Sequence, residues 1–488
     1  MEQNLLYYGD NLDVLRRHLA DESVDLVYLD PPFKSNVDYN VLFEEHGTGS
    51  VAQIHAFEDT WEWNEDSARA YQEVVEAGGD VARAMQAFRT LLGDTDMLAY
   101  LSMMAPRLAE LRRVLKPTGS IYLHCDTTAS AHLRLLMDAV FGAANFLNEI
   151  IWHYQTSSGA PRKWLHRNHD VILRYAASGP DSVKWHHPRV PWPEATLRKW
   201  QTDEEGRIYR VQNKFKKRYY VDPAGKLDDD VWDITLSSRT RERLGYPTQK
   251  PLALLEKIVE SSSDPGDVVL DPFCGCGTSL DAAQALGRQW IGIDITHLAI
   301  GLIKSRLVGR YGPTITDTFR VVGEPTSEDD ARVLAREDPF QFQSWALGLI
   351  GARQVGEAKR GGDQGIDGRL YFHDEGPGGK TKQVIVSVKA GHLVPNYVRD
   401  LIGTVGNEGA QIGVLLSFRP PTAGMRTAAA SAGFYESPWG QHPRIQLLTV
   451  GELLDGARID YPPANVTFRQ AEPVGPVEAE SMPLPFDE

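Results

Sequence analysis

The chain has 488 residues, 42% hydrophobic and 24% charged, enough for a sizeable core in two to four domains at roughly 100–200 residues each. Its net charge of −15 excludes a protein that coats nucleic acid through overall charge, although a local basic patch can still supply phosphate contacts. Three cysteines, Cys125, Cys274 and Cys276, argue against a disulfide framework and fit a reducing cytoplasm; no leader-like segment and no run of membrane-spanning length is seen.

Along the first 310 residues short apolar runs alternate with amphipathic stretches, the pattern of an α/β layer fold. Strands are predicted at Leu5–Tyr8, Val24–Leu29, Ser120–His124, Phe146–Trp152, Val171–Tyr175, Val268–Leu270 and Trp290–Ile293. Helical spacing marks Thr95–Leu115, Ala129–Phe141, Pro251–Ser261, Thr278–Leu286 and Thr296–Val308, with Pro251 suited to a first turn. The expected organisation is a split domain, 1–178 and 246–312, around an insert at 179–245, where Trp, Pro and basic residues lose any clean period. An acidic, Pro-containing linker at 313–338, a second compact α/β domain at 339–455 and a Pro- and Glu-rich flexible tail at 456–488 follow.

Two strand ends carry the chemistry. The first, VDLVYLDPPF, runs into Asp30-Pro31-Pro32-Phe33. The prolines stop the strand at its carboxyl end, the edge at which open α/β sheets bind ligands. An exocyclic base amine is a poor nucleophile because its lone pair is delocalised into the ring. A carboxylate (Asp30) and a fixed carbonyl (Pro31) could accept its hydrogens, and Phe33 could stack on a base taken out of its helix. Alone, the tetrapeptide fits equally well a strand that ends in a turn. The second, GDVVLDPFCGCGTS, is a buried strand reaching Asp271, then a turn with Gly275 and Gly277 that opens a helix near Thr278. Glycines there let backbone approach a ligand. The turn lacks the Gly-Lys-Ser/Thr ending of a nucleotide P-loop, and Cys274 and Cys276 lack partners for a metal site. About fifteen residues on, WIGID ends a further strand in Asp294, placed to accept ribose hydroxyls.

In this order, with GDN at 9–11 and TQKP at 248–251, these motifs make residues 1–310 resemble the permuted (β-class) DNA N6-adenine/N4-cytosine methyltransferases. The resemblance implies a mixed, mostly parallel sheet with helices on both faces and S-adenosylmethionine as cofactor. It assigns Asp30, Pro31, Pro32 and Phe33 to the target base. Asp271, Phe273, Gly275, Gly277, Thr278, Asp294 (ribose), Asp10 (adenine amine) and Lys250 (cofactor carboxylate) go to the cofactor. Adenine N6 is preferred over cytosine N4; double-stranded DNA is the partner, and a homodimer would match the family.

The insert fits the family's target-recognition region. RIYRVQNKFKKRYY carries Arg207, Arg210, Lys214, Lys216, Lys217 and Arg218 among aromatics and without an acid, a pattern suited to DNA although also to a solvated hairpin. His124 and Asp126 beside Cys125 read as structural or cofactor-edge groups, and His186-His187 as a solvated pair.

In the second domain, Asp367 at one strand's start and Lys389 on the next can meet across a hairpin, as a carboxylate for Mg2+ and a lysine that orients water. This segment resembles the Mrr-like restriction nucleases of the PD-(D/E)xK superfamily. That family expects Glu or Gln where Ser387 stands, so two expectations follow: a Mg2+-dependent nuclease with Asp367 as metal ligand, or an inactive unit that only binds DNA or a partner.

Overall fold

The computed structural model describes residues 3–32, 63–154, 165–212, 217–235, 242, 248–354, 365–372, 381–438 and 440–462. It divides into two compact units, Met1–Gly351 with Gly356–Arg360, and Gly361–Glu488 with Ala352–Val355.

The strands of the first unit are β1 (Asn4–Tyr8), β2 (Val24–Leu29), β3 (Leu115–Cys125), β4 (Phe146–His153), β5 (His169–Ala176), β6 (Arg189–Val190), β7 (Gln201–Thr202), β8 (Ile208–Gln212), β9 (Lys217–Tyr220), β10 (Lys226–Leu227), β11 (Val231–Asp233), β12 (Val268–Asp271), β13 (Gln289–Asp294) and β14 (Phe319–Val322). Nine form one sheet, ordered β11-β4-β5-β3-β2-β12-β13-β1-β14, in which only the β3–β5 and β4–β5 pairs are antiparallel.

The period of two sends alternate side chains of central strand β2 into two cores: Val27 and Leu29 into one, Leu26 and Tyr28 into the other. Helices Asn11–His18, Asp96–Val114 and Ser130–Phe141 cover the first face. Leu252–Ser262, Thr278–Ala285 and His297–Tyr311 cover the second. A strand buried on both sides reads as a nearly continuous apolar run, as β2 does apart from Asp25.

Two expectations change. The span 313–338 is not an irregular linker: β14 pairs with β1, Phe319 packs on Trp290 (ring centroids 5.5 Å apart), and Ser327 caps helix Glu328–Glu337, so the acids at 328–330 sit in a first turn where the helix dipole favours them. Helix Pro339–Leu349 packs within the first unit, where Gln341 Oε1 accepts from the His297 amide at 3.1 Å. The insert does not stand apart from the sheet, because β11 extends it beside β4 and buries Trp232. Pro251 occupies the cap, one residue before the first turn.

The second unit holds a five-stranded sheet ordered β15 (Arg353–Gln354), β16 (Gly368–Phe372), β17 (Lys382–Lys389), β18 (Ile412–Ser417) and β21 (Ile445–Thr449); hairpin β19 (Phe434–Ser437) and β20 (Gly440–Pro443) lies outside it. Helices Asn396–Asn407 and Ala423–Ser431 pack on it through Val398, Leu401 and Met425.

Candidate functional site

Because β1, β2, β12 and β13 run parallel, their carboxyl ends fall on one edge of the sheet. Asp10, Asp30, Asp271 and Asp294 stand at those four ends. Asp30 and Asp271 are far apart in sequence, yet they end neighbouring strands, with Val27 level with Leu270. Pro31 is buried and Pro32 half-buried, which fixes the backbone after Asp30. Phe33 lies outside the described residues.

Asp271 is buried; its Oδ1 accepts from the Phe273 amide at 3.0 Å and its Oδ2 from the Ser279 hydroxyl. Burial pushes its carboxyl up to about 7, helped by the charges of Asp30 and Asp294 and opposed by those hydrogen bonds. Asp294 is pushed up to about 6, again by burial, although Thr296 and Gly275 donate to it. Its Oδ2 accepts from the Gly275 amide at 2.9 Å, which ties the glycine turn to the end of β13.

Gly275 and Gly277 both take positive φ, +49° and +75°. Gly277 caps helix Thr278–Ala285, and a Cβ there would stand 2.7 Å from Ile303 Cγ1. Glycine is therefore required at Gly277 by conformation and by space. Thr278 is buried, and Phe273 packs partly buried against the first core.

These residues fit an adenosyl cofactor. A partly exposed carboxylate ends β13, glycine backbone without Cβ atoms turns beside it, and Ile295 offers an exposed apolar side chain next to them.

Asp10 is at this edge too, since Gly9 donates to the Asp294 carbonyl at 3.0 Å. Its carboxylate has other work: Oδ1 caps the helix at Leu12, and Oδ2 pairs with Arg107 at 2.6 Å. Arg107 also donates to Asn11 Oδ1 at 2.5 Å, and Asn11 donates to the Pro272 carbonyl at 2.8 Å. Sequence gave no signal for Arg107, one of several basic residues on a long helix. Lys250 is brought not to the glycine turn but to Asp30, with which it forms a buried ion pair.

His124, fully buried, links Tyr28 (3.0 Å) to Asp170 (3.1 Å), whose other oxygen accepts from Tyr154 at 3.1 Å. His186 pairs with Asp264 rather than being merely solvated.

In the insert, β7, β8 and β9 form an antiparallel sheet in which cations lie over rings: Arg210 over Trp200 and Tyr219, Lys217 over Tyr219, Arg218 over Tyr209. Arg207 lies over Tyr220 and is also held by Asp203 and Glu205, each at 2.9 Å. Lys214 and Lys216 lie outside the described residues.

In the second unit, antiparallel pairing of β16 and β17 brings Lys389 Nζ within 3.7 Å of Asp367 Oδ2. The same oxygen accepts from the Val388 amide at 2.6 Å and the Ser387 hydroxyl at 3.2 Å. Ser387 thus stands directly beside Asp367. Among the described residues no cluster of three or more His, Cys, Asp or Glu could hold a metal ion, and no helix is long and apolar enough to cross a membrane.

Residues 24–305 match the N6/N4 methyltransferase family, described as DNA methylase, and residues 341–455 match a family described as NACHT-associated inactive Restriction Endonuclease 1. The chain is 26% identical over 359 residues to the type II methyltransferase M.EcaI of Enterobacter cloacae, covering 63% of this chain and 70% of that protein. It is 27% identical over 351 residues to the Mod subunit of the type III restriction-modification enzyme StyLTI of Salmonella typhimurium, covering 59% and 50%. It is 25% identical over 323 residues to the DNA adenine methyltransferase YhdJ of Escherichia coli, covering 64% and 85%. Among solved structures, the cytosine-N4-specific PvuII DNA methyltransferase aligns with a TM-score of 0.41 and 14% identity over 65% of this chain and 92% of that one.

Proposed function

Because the chain belongs to the DNA methylase family, we propose that it is a permuted-class methyltransferase that modifies an exocyclic amine of a flipped-out base in double-stranded DNA, adenine N6 in preference to cytosine N4. The observation that carries this reading is the meeting of Asp30 with Asp271 and Asp294 on one sheet edge. S-adenosylmethionine, when bound, supplies an electrophilic methyl group; Asp271, Phe273, Gly275, Gly277, Thr278 and Asp294 would hold it, with Asp10 at the adenine side.

Asp30 and the Pro31 carbonyl accept the two amine hydrogens, which draws the nitrogen lone pair out of conjugation and toward the methyl group. Asp30 then stabilises the positive charge on the methylated nitrogen and takes the proton it releases. The buried Pro31 keeps both acceptors fixed, so little reorganisation is needed as charge develops. Phe33 is the candidate stacking partner of the base. Arg210, Lys217 and Arg218, with Lys214 and Lys216, are the candidate DNA contacts.

Incubation with tritiated cofactor and unmodified DNA tests the reading: label should enter DNA, and Asp30→Ala should abolish it. No incorporation into any DNA would overturn it. Modification-sensitive sequencing of DNA from expressing cells reports base, position and recognition sequence together.

One observation favours a second unit that binds rather than cuts. Among the described residues of its hairpin Asp367 is the one carboxylate, and its Oδ2 already takes donors from Val388 and Ser387. A lone carboxylate is a weak Mg2+ site. The match of residues 341–455 to a family described as inactive restriction endonuclease supports this reading. Plasmid incubated with the protein and Mg2+ should stay intact, and Lys389→Ala should behave like the parent; cleavage that depends on Asp367 would restore the nuclease reading.

A further inference from the structure

Lys250 enters from the far side of the insert, and its ammonium lies on Asp30 Oδ2 and 3.4 Å from the Thr248 carbonyl. The side chains of Lys250 and Asp30 are only 10% and 16% exposed. Both ends of this pair are anchored by backbone. Asp30 is held between the fully buried Leu29 and the buried Pro31, at the end of a central strand. Lys250 precedes Pro251, which caps a helix whose Leu254, Leu255 and Ile258 are buried. Desolvating two charges is costly, and such a pair is held only where the surrounding geometry fixes both groups.

A second carboxylate stands nearby. Asp170 is within the field of Lys250, but its Oδ2 meets His124 and its Oδ1 accepts from Tyr154. The closed network of Tyr28, His124, Asp170 and Tyr154 thus leaves Asp30 as the carboxylate that takes the lysine. Asp30 Oδ1 has no hydrogen-bond partner among the described residues.

From this geometry we infer that Lys250 is a positioning residue for Asp30: it anchors Oδ2 so that Oδ1 is presented to the base amine. This assignment replaces a cofactor contact for Lys250 and rests on the methyltransferase reading. A carboxylate free to rotate would offer the amine a poorly directed acceptor, and small misplacements of a reacting group cost about 100-fold in rate.

The experiment compares Lys250→Met and Lys250→Arg with the parent in three measurements. In steady-state methylation, Lys250→Met should lower kcat by about 100-fold, and Lys250→Arg, which keeps the charge, should recover part of the loss. In calorimetric titration with S-adenosylhomocysteine, Kd should stay within about threefold of the parent for both variants, a change below that of one tenfold step. In thermal melts, the double variant Lys250→Met, Asp30→Asn should melt above the temperature that the two single shifts give together, because the partners fail as a unit. The inference is overturned by a Kd about tenfold or more weaker with kcat kept, by an unchanged kcat in Lys250→Met, or by additive melts. A parent that transfers no methyl group would defeat the functional reading instead, and the melts would still decide the pairing.

Discussion

Asp271→Asn should make the protein more stable at neutral and alkaline pH while weakening cofactor binding. Asp271 is 3% exposed, and burial lifts its carboxyl from the ordinary 3.8 to about 7. A raised carboxyl pKa means that the folded state binds more protons than the unfolded chain between those values, so stability falls as pH rises through that window. Ionising such a group in the folded state costs on the order of 4 kcal/mol in all. Between about pH 5 and about pH 8 the wild-type loss is about 2.7 kcal/mol, most of it before about pH 7. Asparagine resembles the protonated acid: its Oδ1 still accepts from the Phe273 amide, and its Nδ2 can donate to Ser279, with the hydroxyl now accepting. Asp294, pushed to about 6, titrates in both proteins and cancels to first order. Urea titrations of apo protein at about pH 5 and about pH 8 should therefore show the variant gaining about 2.7 kcal/mol on the wild type over that range. A stability difference that does not change with pH would refute the argument, because it would mean that the ionised carboxylate is already compensated in its site. The expected counterpart is weaker cofactor binding by calorimetry, the usual consequence of relieving strain in a binding site.

Three further outcomes follow from the same geometry. Gly277→Ala, forced into φ +75° with its methyl 2.7 Å from Ile303 Cγ1, should cost about 2–4 kcal/mol in thermal denaturation. Leu26→Ala, fully buried on the central strand, should cost about 2–5 kcal/mol, whereas Leu135→Ala, 57% exposed, should stay within about 0.5 kcal/mol. Arg210→Ala should weaken DNA binding and reduce the slope of log affinity against log salt by about one, while Arg207→Ala, whose guanidinium is already neutralised by Asp203 and Glu205, should leave the slope unchanged.

The elements that sequence made legible are those whose burial is periodic. β2 was readable end to end because every residue in it is buried, and helix Ser130–Phe141 because Leu133, Leu136, Met137 and Val140 repeat at helical spacing. Helices Glu65–Ala77 and Gly79–Leu92 lie outside the predicted elements although their Tyr71, Val74, Met85 and Phe88 follow the same rule. Acidic composition hid β14 and helix Glu328–Glu337, because charge marks a solvated face as readily as a linker. Arg207 opens the basic stretch, and the acids that hold it, Asp203 and Glu205, lie just before that stretch begins. The motifs located every strand-end acid of the site, but Arg107 and the Lys250–Asp30 pair are contacts between residues 97 and 220 positions apart, and no local pattern encodes those.

The separation has a physical consequence for the site itself. Asp30 and Asp271 lie on either side of the insert, yet β2 and β12 hydrogen-bond to one another at the centre of the sheet. Neither the acceptors around Asp30 nor the glycine turn can be in place until that long-range pairing has formed, so base site and cofactor site share one closing step. The buried ion pair from Lys250 to Asp30, and the chain from Arg107 through Asn11 to the Pro272 carbonyl, both bridge this same seam. Removing one charge from a buried pair leaves the other uncompensated, so loss of the Lys250 link should lower the stability of the whole folded seam, while the protein that stays folded keeps its cofactor contacts. A ligand that binds the closed sheet would, by the same logic, stabilise the base site without touching it, by mass action on the shared step.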